Sequence, residues 1–348
     1  MSAPIPPTPP SPGVGLRRKG PKSLPKLPLS AFTPPNSGTS DKFPLPASPS
    51  TIHPESVIDA NVVPGHGALD LSKWKQEASQ SEILRDRIGG LVVVLPKADQ
   101  ETLSKVMETK SVAPFLSVVV PFDLDATEPP SLPILSSSPV PISLSTAFTK
   151  SSPEAVKNLR WALQQGRPVD IDIRTDLTDP VFESLEDLLA KSTADLPSVP
   201  PIVLSNLLPP PHNLELPIVK LMNHPIYRTF QAQIAALSLI PQIYIKYLQP
   251  CWDAPTPPTP SVANPPAEIT GVKQKNEWKR RIKMYFGPVM EAFGYQRIIF
   301  GSSPSSIAQS KSAVWSWYEL ARESLAELAV EQEAVDAVFY TTAKKVYS

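Results

Sequence analysis

Charge of one sign, cysteine and long apolar runs are scarce in this chain, and each scarcity removes a class of answer. Lys plus Arg and Asp plus Glu both number 33 over 348 residues, so no net positive field gathers a phosphate backbone, and nucleic acid is not expected as a partner. The longest apolar run, Leu91 to Leu95, falls far short of the ~20 residues that a spanning helix needs, so no membrane partner is expected either. One cysteine, Cys251, cannot form an internal disulfide, which fits a reducing compartment and a cytoplasmic protein. The four histidines show no Cys/His zinc spacing. With no glycine-rich phosphate loop and no Gly-x-Ser-x-Gly elbow, nucleotide hydrolysis and serine-elbow chemistry find no support.

Proline is abundant instead. The 45 prolines make up about 13 % of the chain against the usual ~5 %, and they cluster. Residues 1 to 54 hold 15, and the windows 121 to 141, 197 to 217 and 251 to 270 hold 6, 7 and 6. This is the pattern of a folded domain, residues 55 to 348, with a proline-rich tail and three proline-rich insertions. The tail, residues 1 to 54, has one acid, Asp41, against six bases and few large apolar residues. Such a segment buries too little surface to offset the entropy of ordering, so disorder is expected. Its basic, acid-poor composition suits a mitochondrial presequence, but Pro4, Pro6, Pro7, Pro9, Pro10 and Pro12 prevent the amphipathic helix that one needs. The tail reads either as a passive extension or as a polyproline II ligand for a proline-motif-binding domain.

After residue 54, short β-branched runs alternate with helical stretches, the signature of parallel strands with crossover helices. The runs are Val57 to Val63, Leu91 to Leu95, Phe115 to Val120, Pro141 to Thr146, Val169 to Arg174, Ile202 to Asn206, Gln242 to Leu248 and Arg297 to Ser302. Helices are expected over Lys97 to Thr109, Ser152 to Gln165, Thr178 to Ser192, Pro225 to Leu239, Lys273 to Phe293, Ser310 to Leu328 and Glu331 to Tyr340. Ser152-Pro153 and Asp179-Pro180 look like helix starts. The count points to an α/β fold, a (β/α)8 TIM barrel, with a doubly wound open sheet as the alternative. No clear helix separates the third run from the fourth. The insertions follow strands three, six and seven and so overhang the C-terminal mouth, as a lid or as inert elongations.

In Val169-Asp170-Ile171-Asp172-Ile173-Arg174 one face is apolar and the other is Asp, Asp, Arg. The apolar face of a barrel strand meets the outer helices, so Asp170, Asp172 and Arg174 are expected to point inward, with Tyr244 and Lys246 inward on strand seven. Buried charges need partners. Two arrangements serve: a network that satisfies itself inside the barrel, or a polar site near the mouth.

The run Phe293-Gly294-Tyr295-Gln296-Arg297-Ile298-Ile299-Phe300-Gly301-Ser302-Ser303-Pro304, the helix with Trp315 and Trp317, and the close Ala343-Lys344-Lys345-Val346-Tyr347 together resemble the end of the amidohydrolase-related, metal-dependent hydrolases. Strand one, Ile58-Asp59-Ala60-Asn61-Val62-Val63, resembles that family's Asp-x-His-x-His strand, and Val203-Leu204-Ser205-Asn206-Leu207 its Asp-His-leucine strand. The resemblance implies a TIM barrel with a divalent metal. Yet the two strand-one histidines fall on Asn61 and Val63, the strand-six histidine on Asn206, and the eighth-strand aspartate on Ser303. An amide, an isopropyl group and a hydroxyl do not supply the ligand field that a water-activating metal needs, so no zinc is expected there.

Three functions follow, from different classes. The first is a barrel that has lost metal catalysis and serves as a binding or scaffolding protein. The second is a metal-independent hydrolase, lactonase or decarboxylase acting on a small carboxylated or cyclic substrate. In it Arg174 and Lys246 hold an anionic group, Asp172 acts as base, and Asn61, Asn206, Ser303, His66, His212 and His224 contact the substrate from the mouth. The third is a zinc or manganese hydrolase with displaced ligands such as His66, His212 and Asp172. Cys251, with no evident histidine partner, and Trp315, Trp317 and Tyr318, at core spacing, carry no chemistry in this reading.

Overall fold

The structure is a computed structural model. It describes residues 48–64, 71–108, 113–210, 213–250, 252, 254, 256–257, 269–305, 313–328 and 331–348. The tail before Ser48, His66, His212, Cys251 and much of the third insertion lie outside the described residues. The chain divides into two units between Pro46 and Ala47, and everything described belongs to the second.

All eight expected strands form. They are β1 (Val57–Val62), β2 (Ile88–Val94), β3 (Phe115–Pro121), β4 (Ile142–Phe148), β5 (Val169–Ile173), β6 (Ile202–Leu208), β7 (Ile243–Tyr247) and β8 (Ile298–Phe300). They pair in parallel in chain order from β1 to β8. At the far edge β8 returns to β1, where the Ser303 N–H donates to the Asn61 carbonyl at 3.0 Å. The result is a nearly closed (β/α)8 barrel.

Between β1 and β2 lie α1 (Ser72–Ala78) and α2 (Glu82–Arg85), and between β2 and β3 lies α3 (Gln100–Glu108). The β3–β4 crossover holds a single turn, α4 (Ile134–Ser137), because the prolines of this insertion remove the amide donors that a longer helix would need. Next come α5 (Pro153–Gln164), α6 (Asp179–Thr193), α7 (Ile218–Leu221), α8 (Pro225–Ser238), α9 (Ile269–Phe293) and α10 (Val314–Ala326). Then α11 (Gln332–Asp336), a π-helical turn over Ala337–Thr341 and α12 (Thr342–Tyr347) close the chain.

Ser152 caps α5 as expected, its hydroxyl accepting from the Ala155 N–H at 3.0 Å. In α6 the cap is Thr178, and Asp179 sits one residue inside, in the first turn. There its carboxylate faces the positive end of its own helix. The packed chain also starts earlier than proline density suggests. Arg322 is buried, and its guanidinium donates to the carbonyls of Pro49 and Ile52 at 3.0 and 2.7 Å. A buried guanidinium needs acceptors, and these residues supply them.

Apolar side chains form two bodies. The larger lies between the strands and the helices. The smaller fills the barrel axis with Ile58, Ala60, Val92, Val119, Val203, Tyr244 and Ile299. Ala343, Val346 and Tyr347 of α12 join this axial group, so the last helix inserts into the floor of the barrel and leaves the opposite, C-terminal end as its mouth.

Candidate functional site

The inward face of β5 divides by depth. Low in the barrel, Lys246 of β7 places its ammonium 2.6 Å from Asp170 Oδ2 and 3.1 Å from Asn61 Oδ1. The Lys246 and Asp170 side chains are only 1 % and 6 % exposed. Tyr347 donates its phenolic hydrogen to Asp170 Oδ1 at 2.8 Å. Burial, and after it the charge of Asp170, pushes the Tyr347 phenol well above its ordinary pKa, so the hydroxyl stays a donor. This is the self-satisfied arrangement that buried charges require.

Beside it runs the seam between the first and last strands. Asp59 accepts at Oδ1 from the N–H groups of Ser302 (2.8 Å) and Asn61 (3.2 Å), and at Oδ2 from Trp74 Nε1 (2.8 Å) and the Ser302 hydroxyl. Asn61 Nδ2 donates to the carbonyls of Ser303 and Pro304 at 3.0 and 3.1 Å, and the Val63 N–H donates to Ser303 Oγ at 3.2 Å. Glycine at 301 makes this approach feasible. A Cβ there would stand 2.6 Å from Asn61 Cβ and 2.7 Å from Leu248 Cδ2.

Higher up, Asp172 accepts from Arg174 Nε at 3.2 Å and from Asn206 Nδ2 at 2.7 Å. Asn206 Nδ2 also donates to the Ile173 carbonyl at 2.9 Å. Asn206 has φ +68°, inside β6 where the pairing register with β7 shifts. This left-handed geometry costs energy for a residue with a side chain, and asparagine is among those that tolerate it. Arg174 and Asn206 open onto a cleft of about 900 Å³ at the mouth. Ile173, Leu207, Phe230 and Gln233 also line it, together with Asp176, Asp179 and Ser305.

Of the residues singled out from sequence, Asp172, Arg174 and Asn206 thus meet at the mouth. Lys246, Asn61 and Ser303 belong to the deeper network and the seam, and none of the three lines the cleft. His224 precedes α8 as its N-cap residue, without a side-chain cap hydrogen bond. His66 and His212 lie outside the described residues.

Three contributors were not singled out: Trp74 on Asp59, Tyr347 on Asp170, and Gln233, whose Nε2 donates to the Leu177 carbonyl at 2.7 Å while the residue lines the cleft. An acid inside a β-branched strand is itself a signal that donors converge on it, and Asp59 carried that signal. Nothing in the sequence pairs Tyr347 with β5.

The donors at the positions where the resemblance puts metal ligands do not fit a divalent ion. Asn61 Oδ1 faces an ammonium, Asn61 Nδ2 and Asn206 Nδ2 are committed as donors, and Ser303 Oγ accepts from a backbone N–H. Val63 brings no ligand atom. A cation already bonded to the would-be ligand opposes a second cation there. Among the described residues no three His, Cys, Asp or Glu side chains group as a metal site. Among the same residues no helix is long and apolar enough to cross a membrane.

No protein-family model matches the chain, and no curated protein does. Solved structures match it by fold. An amidohydrolase from Burkholderia multivorans with bound Hepes aligns at a TM-score of 0.52 and 13 % identity over 84 % of this chain and 99 % of that one. A second crystal form with bound zinc gives 0.52 and 14 % over the same shares. A putative 2-pyrone-4,6-dicarboxylic acid hydrolase from Pseudomonas putida gives 0.52 and 14 % over 84 % of this chain and 97 % of that one. At such identities the likeness establishes the fold, the eight-stranded parallel barrel of amidohydrolases.

Proposed function

We propose that this chain is an amidohydrolase-like barrel whose metal centre has given way to a fixed hydrogen-bonded network, and that it works as a binding or scaffolding protein whose mouth takes a small carboxylated molecule. The observation that carries this reading is the Lys246 ammonium on Asn61 Oδ1, 3.1 Å away, at a position where the resemblance calls for a metal ligand. An ammonium has no open coordination position and makes no hydroxide from water. What the network supports instead is a rigid base beneath the cleft.

Arg174 offers the cleft a guanidinium that matches a carboxylate, and Ile173, Leu207 and Phe230 supply an apolar wall for the rest of a small ligand. Of the two acids on the lining, Asp179 answers the N-terminus of α6.

A second reading is favoured by one feature, the strained Asn206 that fixes Asp172 beside Arg174. There Asp172 is a base and Arg174 the anchor of a metal-independent hydrolase, lactonase or decarboxylase. Calorimetry with a panel of small mono- and dicarboxylates, run beside an NMR turnover assay with the same acids and small lactones, tests both. Saturable binding that Arg174→Ala weakens about tenfold or more, with no turnover, is expected. Turnover lost in Asp172→Asn establishes the second reading, and neither binding nor turnover removes the cleft from consideration.

A further inference from the structure

Tyr347 lies in the floor of the barrel and Ser305 in the mouth cleft, yet a run of hydrogen bonds leads from one to the residue before the other. The phenol of Tyr347 holds Asp170 Oδ1, which leaves Oδ2 to Lys246. Lys246 then holds Asn61 Oδ1. With its oxygen fixed on a cation, the Asn61 amide must turn Nδ2 the other way, toward the Ser303 and Pro304 carbonyls. The next residue is Ser305, buried on the cleft lining, its hydroxyl without a hydrogen-bond partner among the described residues.

We propose that Tyr347 is a positioning residue for the mouth. From the floor it sets the orientation of Asp170, and through Lys246 and Asn61 it fixes the segment 303–305, whose last residue, Ser305, lines the cleft. The first three links are hydrogen bonds between buried side chains, each with an ionised donor or acceptor, and the last runs from Asn61 Nδ2 to two backbone carbonyls. An amide has two distinguishable ends, so the ammonium on β7 holds the oxygen and leaves the nitrogen to face the segment that follows β8. Removing the phenol hydroxyl frees one oxygen of Asp170, allows the carboxylate to rotate, and loosens the ammonium that orients Asn61. The importance of Ser305 to the cleft rests on the function proposed above, whereas the coupling itself does not.

Hydrogen–deuterium exchange of the full chain, without ligand, tests the coupling. Tyr347→Phe keeps the ring in the floor and removes only the hydroxyl. It is expected to speed exchange in 299–305 about tenfold, the equivalent of one lost buried hydrogen bond, while α5 exchanges as before. Tyr340→Phe serves as control, because Tyr340 packs against the same axial group and its hydroxyl meets Lys344, not Asp170. Lys246→Gln and Asn61→Ala are expected to act on the same segment, and adding Tyr347→Phe to Asn61→Ala should change it no further.

If Tyr347→Phe leaves 299–305 exchanging like wild type or like Tyr340→Phe, the proposal fails. It fails equally if every region accelerates together, because that is a loss of global stability. Failure of carboxylates to bind would overturn the cleft reading and leave the exchange result intact.

Discussion

Ser302 gives Asp59 both of its donors, the backbone N–H to one carboxylate oxygen and the hydroxyl to the other, and so ties the last strand to the first. Burial nevertheless pushes the Asp59 carboxyl above its usual pKa, with the Ser302, Trp74 and Asn61 hydrogen bonds offsetting only part of the cost. A folded-state pKa raised above the unfolded one contributes stability that is complete below the unfolded value, and that is lost as pH rises through the folded value. Wild type should therefore lose stability relative to Asp59→Asn over the pH range that starts at the ordinary carboxyl value of about 4 and extends upward. Denaturant unfolding of both proteins across that range checks it, and a pH-independent difference would exclude a raised carboxyl.

Lys246→Met should cost about 3–5 kcal/mol, because it strands the Asp170 carboxylate without its counter-ion. Lys246→Met combined with Asp170→Leu removes both charges and should recover a good part of that loss. Urea unfolding of the two single variants and the double one measures the coupling.

Gly301→Ala should destabilise by about 1–3 kcal/mol. The new methyl meets Asn61 and Leu248 at separations that real Cβ atoms do not adopt, so β1 and β8 must part. A melting temperature equal to wild type would mean that the seam yields more easily than its packing implies.

Elemental mass spectrometry after incubation with zinc or manganese should find no stoichiometric metal. One equivalent that disappears when His66, His212 or Asp172 is replaced would instead establish the hydrolase with displaced ligands.

The eight strands were legible because each is a compact β-branched run, and period-two alternation correctly turned Asp170 and Lys246 inward. Alternation gives the face of a strand but not its depth. Hence Asp170 and Asp172, two residues apart on one face, read alike in sequence, although one is sealed beside Lys246 and the other sits at the mouth with Arg174. The helices between β1 and β2 escaped notice because in α1 and α2 only Trp74, Ala78 and Leu84 face inward, too few to establish a period. The place of α12 was hidden for another reason. Ala343, Val346 and Tyr347 read as one small apolar stripe, and what they meet comes from distant strands.

The seam also has a consequence in time. The residues that bond across it, Asp59 and Ser302, stand 243 positions apart, so closing the barrel brings nearly the whole length of the domain together in a single step. Contacts this remote give a high contact order and slow folding. On the ribosome, β1 emerges long before its last neighbour exists, and until Ser302 arrives it remains an unpaired edge, open to other chains. A substitution at Asp59 or Gly301 therefore acts on the yield of soluble protein as well as on the stability of the protein that has folded.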